Sequence, residues 1–175
     1  MVAAVAKSLF VSAGKIEDLP GFLRNASKVF RRMKLRKYFM AMWIVQLNDD
    51  YVELCAAGMP PALVYRRGND TIEEIRLRSM PIGGPADFPY YPESLQLGSG
   101  DVLLVASDGL TECINSFDSM LGKGRLKVLL RRAARKETSA QDVMNLLVRQ
   151  VDDWRGPIEL RDDLTICVVR AKGKE

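Results

Sequence analysis

The order of hydrophobic and polar residues predicts four helices, arranged as two pairs towards the ends of the chain. The first helix is mostly apolar, which indicates that it is buried. The second begins at Pro20 and alternates apolar with basic residues at helical spacing. Ser139 precedes the fourth helix, and Asp142 follows three positions on, as in a capping box. The predicted helices cover residues 1–13, 20–35, 125–135 and 140–154.

The residues between and after the helix pairs change to the pattern of strands and turns. Residues 48–50 (NDD) read as a turn, and residues 78–92 are rich in Pro and Gly and read as a loop. The last strand is apolar on both faces, which favours a central position in its sheet. Segregated strands and helices predict an α+β fold and a single domain over residues 1–175. The predicted strands cover residues 38–47, 51–57, 62–66, 72–77, 94–97, 102–106 and 164–169.

The composition excludes several classes of enzyme. Apolar residues make up 47% of the chain and charged residues 27%, which is typical of a globular protein. Histidine is absent, so Ser-His-Asp catalysis, Cys-His catalysis and His-ligated zinc are excluded. Cys55, Cys113 and Cys167 are too far apart for a disulfide framework or a zinc knuckle, and we expect a reducing, cytoplasmic setting. Any chemistry must use carboxylates, hydroxyls, Lys, Arg or an oxygen-held metal.

Positive charge is concentrated at the beginning of the chain. The net charge is +4, and the first forty residues carry nine Lys or Arg against Glu17 and Asp18. A basic end can indicate nucleic-acid binding, but here the charges interleave with apolar residues at helical spacing, which favours the solvated face of an amphipathic helix. No apolar run is long enough to span a bilayer. We therefore predict neither a nucleic-acid nor a membrane partner.

Two acidic sites lie at the ends of apolar strands. Asp108 directly follows residues 102–106, and Asp162 and Asp163 directly precede the last strand. A carboxylate at the end of a buried strand needs a partner, and oxygen ligands select magnesium or manganese. Gly109 permits close backbone approach beside Asp108. The alternative is ordinary turn chemistry, because Asp-Gly and Asp-Asp pairs are common in turns, and spacing alone leaves both interpretations open.

An ordered set of short motifs resembles the metal-dependent serine/threonine phosphatases of the PPM family, in particular the bacterial SpoIIE-type, sigma-regulatory branch. Each motif is weak alone, and their order and spacing together carry the resemblance. The motifs are residues 57–64 (AGMPPALV), 81–83 (PIG), 97–104 (LGSGDVLL), 107–112 (SDGLTE), 124–126 (GRL) and 162–165 (DDLT).

The resemblance implies an αββα sandwich of two antiparallel sheets flanked by helix pairs, with a two-metal site at one end. It implies that Asp108 and Asp162 ligate Mn²⁺ or Mg²⁺ beside Gly109, with Asp163 the weaker candidate. A water activated by the two metals would be the nucleophile, so no side chain is assigned as catalytic. The implied reaction is hydrolysis of phosphoserine or phosphothreonine on a regulatory protein, such as an anti-sigma antagonist. We interpret residues 58–61 as a hairpin connector rather than as a substrate contact.

One departure from the family pattern changes these expectations. The family carries a metal-bridging aspartate upstream of its first helix, and this sequence has no counterpart, so we expect a domain truncated at its N-terminus with little activity alone. The alternative function is a catalytically incomplete fragment or pseudophosphatase that acts as a protein-binding module. Truncation would also open a sheet edge and expose an apolar patch on the first helix, formed by Val2, Val5, Leu9 and Phe10. We therefore expect a homodimer or strand exchange through that edge, or rearranged packing that covers it.

Overall fold

The computed structural model describes residues 2–33, 38–48, 51–85 and 87–173. The chain divides into two compact units, residues 1–59 with 77–96 and residues 60–76 with 97–175. The helices are α1 (Val2–Ala13), α2 (Leu19–Arg32), α3 (Gly109–Glu112), α4 (Gly122–Lys136) and α5 (Ala140–Arg155). The strands are β1 (Met42–Leu47), β2 (Val52–Ala57), β3 (Ala62–Arg66), β4 (Thr71–Ile75), β5 (Glu93–Leu95), β6 (Val102–Ala106) and β7 (Ile166–Arg170).

The first unit packs α2 against a three-stranded antiparallel sheet in the order β1-β2-β5. The helix begins where the Asp18 side chain accepts a hydrogen bond from the Gly21 N–H at 2.8 Å, which satisfies one of the unpaired amides of the first turn. Leu23 and Phe30 are fully buried and belong to one apolar cluster with Ile44 of the sheet. The apolar stripe of α2 therefore forms the core of this unit, and its basic residues lie on the other face.

The second unit packs α4 and α5 against a four-stranded antiparallel sheet in the order β4-β3-β6-β7. Leu104 of the sheet, Leu130 of α4 and Leu147 of α5 are buried in one cluster. The predicted cap of α5 is confirmed, because the Ser139 hydroxyl accepts a hydrogen bond from the Asp142 N–H at 3.0 Å. The predicted α+β class is confirmed, since each unit joins helices to one antiparallel sheet.

The position of β7 differs from the prediction. We expected a central strand, but β7 lies at the edge of the four-stranded sheet and pairs only with β6 among the described residues. Its side chains are mostly half-buried, and Cys167 is exposed. Apolar residues on both faces indicate that both faces of a strand are covered by other residues. They do not show whether the strand has a second hydrogen-bonded neighbour, which a central position requires.

The first helix is also less buried than its composition predicted. The side chain of Val2 lies outside the described part of α1. Among the described side chains of this helix only Ala6 is fully buried, Val5 and Leu9 are half-buried, and Phe10 and Val11 are 46% and 69% exposed. One face of the helix meets the core of the first unit, and the apolar residues on the other face remain at the surface. The all-round apolar pattern therefore overestimated how much of this helix is covered.

Other differences concern the ends of elements. The predicted strand at residues 38–47 begins only at Met42, although Met40 forms an isolated bridge with Ile82. Helix α4 begins at Gly122, ahead of the predicted start, and the four-residue α3 was not predicted. The predicted turn at residues 48–50 and the end of the predicted helix at residue 35 fall partly outside the described residues. No helix among the described residues combines the length and apolarity needed to cross a bilayer.

Candidate metal centre

Pairing of β6 with β7 brings the two acidic segments to one end of the second sheet. The strands run antiparallel, and Ala106 at the end of β6 lies opposite Ile166 at the start of β7. Beyond this pair, the Ser107 N–H donates to the Thr165 carbonyl at 3.0 Å, and the Thr165 N–H donates to the Ser107 hydroxyl at 3.0 Å. The residues that follow β6 and those that precede β7 are therefore held together by direct hydrogen bonds.

Asp108 is fixed by the short helix that follows it. Its side chain accepts a hydrogen bond from the Gly109 N–H at 3.1 Å, and its carbonyl accepts from the Thr111 and Glu112 N–H groups, each at 2.9 Å. The residue is exposed, so the carboxylate remains accessible to an ion or a substrate from solvent. The backbone of Asp108 is thus well defined while its charged group faces water.

Gly109 lies where any side chain would collide with the opposite segment. A Cβ placed on this residue would lie 2.7 Å from the carbonyl oxygen of Asp163. The glycine is buried, so the neighbouring backbone has little room to move aside. The close approach predicted for Gly109 is therefore an approach to the backbone of residue 163, and a ligand-binding role for Gly109 remains a prediction.

Asp162 and Asp163 differ in what their groups contact. The Asp162 side chain accepts a hydrogen bond from the Asp163 N–H at 2.8 Å, and the Asp163 carbonyl accepts from the Ser107 hydroxyl at 3.3 Å. Both residues are exposed. The backbone of Asp163 thus joins the two segments, while the Asp162 carboxylate accepts from the backbone of the next residue.

The donor set fits part of a divalent cation site. The accessible carboxylates of Asp108 and Asp162 are oxygen donors of the kind that magnesium and manganese prefer. Among residues 2–33, 38–48, 51–85 and 87–173, no three His, Cys, Asp or Glu side chains are grouped so that they could hold a metal ion. The two carboxylates are therefore candidates for a partial ligand set, and their role as ligands remains a prediction.

Two other residues singled out in the sequence have structural explanations. The interpretation of residues 58–61 as a hairpin connector is wrong, because β2 and β3 belong to different sheets and do not pair with each other. Gly58 still has a local reason to be glycine, since its φ is 70° and a Cβ there would lie 2.5 Å from Pro81. Cys113 is buried, and burial raises the pKa of its thiol, so it is a packed structural residue rather than a reactive one.

Sequence reasoning missed the structural role of Asp101, which is only 6% exposed. Its side chain accepts hydrogen bonds from the Arg67 N–H at 2.8 Å, the Gly98 N–H at 3.0 Å and the Arg66 guanidinium at 3.0 Å. The turn at residues 98–101 directly before an apolar strand was the available signal, because an Asp that closes a turn often accepts from its backbone.

Comparisons with known proteins agree with this architecture. The curated protein that is named phosphoserine phosphatase RsbU of Bacillus subtilis is 23% identical over 154 residues, which cover 86% of this chain and 44% of RsbU. The structure of the SiaA-PP2C domain of Pseudomonas aeruginosa superposes with a TM-score of 0.79 at 18% identity, covering 98% of this chain and 68% of that domain. The catalytic domain of the serine/threonine phosphatase PstP, in complex with two manganese ions, superposes with a TM-score of 0.62 at 12% identity, covering 95% and 78%.

These likenesses establish the fold and the family separately. The structural matches show that the chain has the fold of PP2C phosphatase domains, and the chain spans less than half the length of RsbU. The family profile described as stage II sporulation protein E (SpoIIE) matches residues 1–172, almost the whole chain. The chain therefore belongs to the SpoIIE family.

Proposed function

We propose that this chain is a metal-dependent serine/threonine protein phosphatase domain of the sigma-regulatory type. The observation that carries the proposal is that the SpoIIE family match spans residues 1–172 and contains both acidic segments, which are hydrogen-bonded at one end of the second sheet. The name of RsbU as a phosphoserine phosphatase supports the same reaction for its relative. The proposal treats residues 1–175 as one domain, although the chain forms two compact units.

In this proposal Asp108 and Asp162 hold a divalent cation, Mn²⁺ or Mg²⁺, with Gly109 beside them. When bound, two such cations activate water as the nucleophile and neutralise the charge of the phosphate oxygens. The protein's own contribution is placement: the Ser107–Thr165 hydrogen bonds hold the two acidic segments together, and α3 fixes the backbone of Asp108. The manganese ions of the structurally similar PstP domain support a divalent metal.

The proposed substrate is a phosphorylated regulatory protein, such as an anti-sigma antagonist, in the cytoplasm. A homodimer through an open edge is a further part of the proposal. It is supported by the edge position of β7 and by the exposed apolar residues Phe10 and Val11 of α1.

A second candidate function is a protein-binding module without turnover. It is favoured by the observation that the described residues contain no group of three metal-ligating side chains. Two carboxylates leave too few ligands fixed for a two-metal mechanism. We therefore expect turnover by the chain alone to be low, and the two functions are separated by whether any metal-dependent turnover exists.

The test measures Mn²⁺-dependent hydrolysis of a phosphoserine peptide by the purified chain and three variants. Asp108→Asn and Asp162→Asn each keep the size of the side chain but remove the charge, so we expect kcat/KM to fall at least about a hundredfold. Asp153→Asn is the matched control, because Asp153 is an exposed residue of α5 and makes the same chemical change outside the acidic segments. We expect it to leave turnover unchanged.

The outcomes distinguish the candidates. Turnover that survives Asp108→Asn and Asp162→Asn would refute the metal site, and loss of turnover in all three variants would make the effect nonspecific. If the unaltered chain has no Mn²⁺-dependent turnover but binds a phosphoprotein, the binding module is supported instead. Robust turnover that disappears with Asp108→Asn would show that the ligands in this chain are enough for catalysis.

A further inference from the structure

The loop between α3 and α4, residues 113–121, holds two apolar side chains in solvent. Phe117 is 86% exposed and Met120 is 63% exposed. Phe117 is the most exposed large hydrophobic residue in the part of the chain that the structure describes. Single exposed apolar residues are common on protein surfaces, so the position and order of this pair decide whether it has a role.

Hydrogen bonds at the base of the loop fix its conformation. Asn115 is 7% exposed, and its side-chain oxygen accepts hydrogen bonds from the Phe117 N–H at 3.0 Å and the Ser119 N–H at 3.1 Å. The Asn115 N–H donates to the Ser119 carbonyl at 3.1 Å, and the Leu121 N–H donates to the Cys113 carbonyl at 2.8 Å. Backbone and side-chain hydrogen bonds among residues 113–121 therefore order the loop that carries Phe117 and Met120.

The base of the loop is also part of the hydrophobic core. Cys113 and Leu121 are buried in the same cluster as the residues of α4 and α5, and Ile114 is 8% exposed. A buried stem below an exposed tip keeps Phe117 and Met120 at the surface. Because the loop backbone is already ordered, the loop itself would lose little conformational entropy when a partner covers its tip.

The loop adjoins both segments of the candidate metal centre. Asp108 caps α3, and α3 leads directly into residue 113. On the other side, Asp118 forms an ion pair with Arg161 at 3.3 Å, and Arg161 directly precedes Asp162. A protein whose phosphorylated residue reached the two carboxylates would therefore lie beside Phe117 and Met120.

We infer that residues 113–121 are the docking element for a folded phosphoprotein substrate, with Phe117 and Met120 as its apolar contacts. The inference rests on the proposed phosphatase function. Asp108, Asp162 and Asp163 are exposed acidic residues, which can bind a cation but provide little apolar surface. Phenylalanine and methionine are enriched at the centres of protein interfaces, so these two side chains supply the contact that distinguishes a protein from a short peptide.

The experiment measures binding rather than turnover, so that it remains informative if the chain is catalytically weak. The probes are a fluorescently labelled anti-sigma antagonist in its phosphoserine form and a short phosphoserine peptide from the same protein, each titrated with the purified chain. Phe117→Ala and Met120→Ala should each raise the Kd for the phosphoprotein, together by about tenfold or more, and leave the Kd for the peptide unchanged. Val128→Ala is the matched control, since Val128 is 64% exposed on α4 of the same unit.

Each outcome decides the inference. Equal phosphoprotein affinity in the unaltered chain and in Phe117→Ala and Met120→Ala overturns it, as does an unaltered chain that does not bind the phosphoprotein. Parallel loss of peptide binding also overturns it, because it would mean that the variants disturb the centre itself. If Phe117→Ala changes the oligomeric state by light scattering instead, the tip contacts a second copy and the inference is wrong. Absence of turnover with intact, Phe117-dependent binding would reject the phosphatase function alone.

Discussion

At the scale of single residues, Asp101 shows how a buried charge is accommodated in the second unit. Two backbone N–H groups and the Arg66 guanidinium donate to its carboxylate, and Arg66 also pairs with Glu73 at 2.8 Å. Asp101 and Glu73 thus share the Arg66 guanidinium but differ in burial, since the Glu73 side chain is 45% exposed and that of Asp101 is 8% exposed. This pair therefore compares a buried carboxylate that also accepts from the backbone with an exposed carboxylate on the same guanidinium.

We predict that Asp101→Ala lowers the free energy of unfolding by about 3 kcal/mol, because it leaves buried donors without an acceptor. Glu73→Ala removes the exposed partner of the same arginine and should cost less than about 1 kcal/mol. Urea denaturation followed by circular dichroism measures both values. Equal losses in the two variants would contradict the argument from burial.

Cys55 gives a prediction for the effect of pH on stability. The residue is fully buried in β2, and burial raises the pKa of its thiol from 9.0 to about 11. The unfolded chain would ionise this thiol near pH 9 while the folded chain keeps it neutral, so its contribution is complete below pH 9 and is lost as the pH rises towards 11. The loss should amount to about 2 kcal/mol.

The measurement is the free energy of unfolding between pH 8 and about 11 for the unaltered chain and for Cys55→Ala. Burial also raises the pKa values of Tyr90 and Cys113, so both proteins should lose stability as the pH increases. The slope should be shallower in Cys55→Ala, which lacks one of the titrating groups. Identical slopes would mean that the Cys55 thiol does not contribute.

At the scale of helices and strands, local sequence signals predicted where most elements lie, but not which elements pack beside them. Strand β6 and helix α5 were predicted almost to their ends because an apolar run, a capping serine and helical spacing are encoded in consecutive residues. The edge position of β7 was not predicted, and the apolar pattern of α1 wrongly predicted a buried helix, since both depend on which distant segments pack beside them. Helix α3 is too short to show a period.

The candidate site was likewise predicted in its residues but not in its three-dimensional arrangement. Asp108 and Asp162 were recognisable as carboxylates at strand ends, but their common location depends on the pairing of β6 with β7, which hydrophobic periodicity does not specify. The resemblance to a known family supplied that expectation. The apolar tip at Phe117 was missed, because an exposed phenylalanine and a buried one look alike in sequence, and only the hydrogen bonds of Asn115 show that the loop is ordered.

At the scale of the whole molecule, the chain path bears on whether the two units form one domain. The path passes from one unit to the other at residues 59–60, 76–77 and 96–97, so neither unit is a continuous segment. Each unit contains two separate segments of the chain, and these are joined through the other unit. If one unit unfolded, the segments of the other would lose the connections that fix their ends. We therefore expect the two units to unfold together in a single cooperative transition, as a single domain does.

The two tryptophans allow this expectation to be tested, because Trp43 lies in the first unit and Trp154 in the second. In Trp154→Phe the remaining tryptophan fluorescence reports the first unit, and in Trp43→Phe it reports the second. For each variant, the urea midpoint from fluorescence should equal the midpoint from far-ultraviolet circular dichroism, which reports the whole chain. Comparing two probes within one variant removes any change of stability that the substitution itself causes, including loss of the stacking of Arg125 on the Trp154 ring at 3.4 Å. A fluorescence transition that precedes the dichroism transition in either variant would show that the units unfold separately and that the chain is not a single cooperative domain.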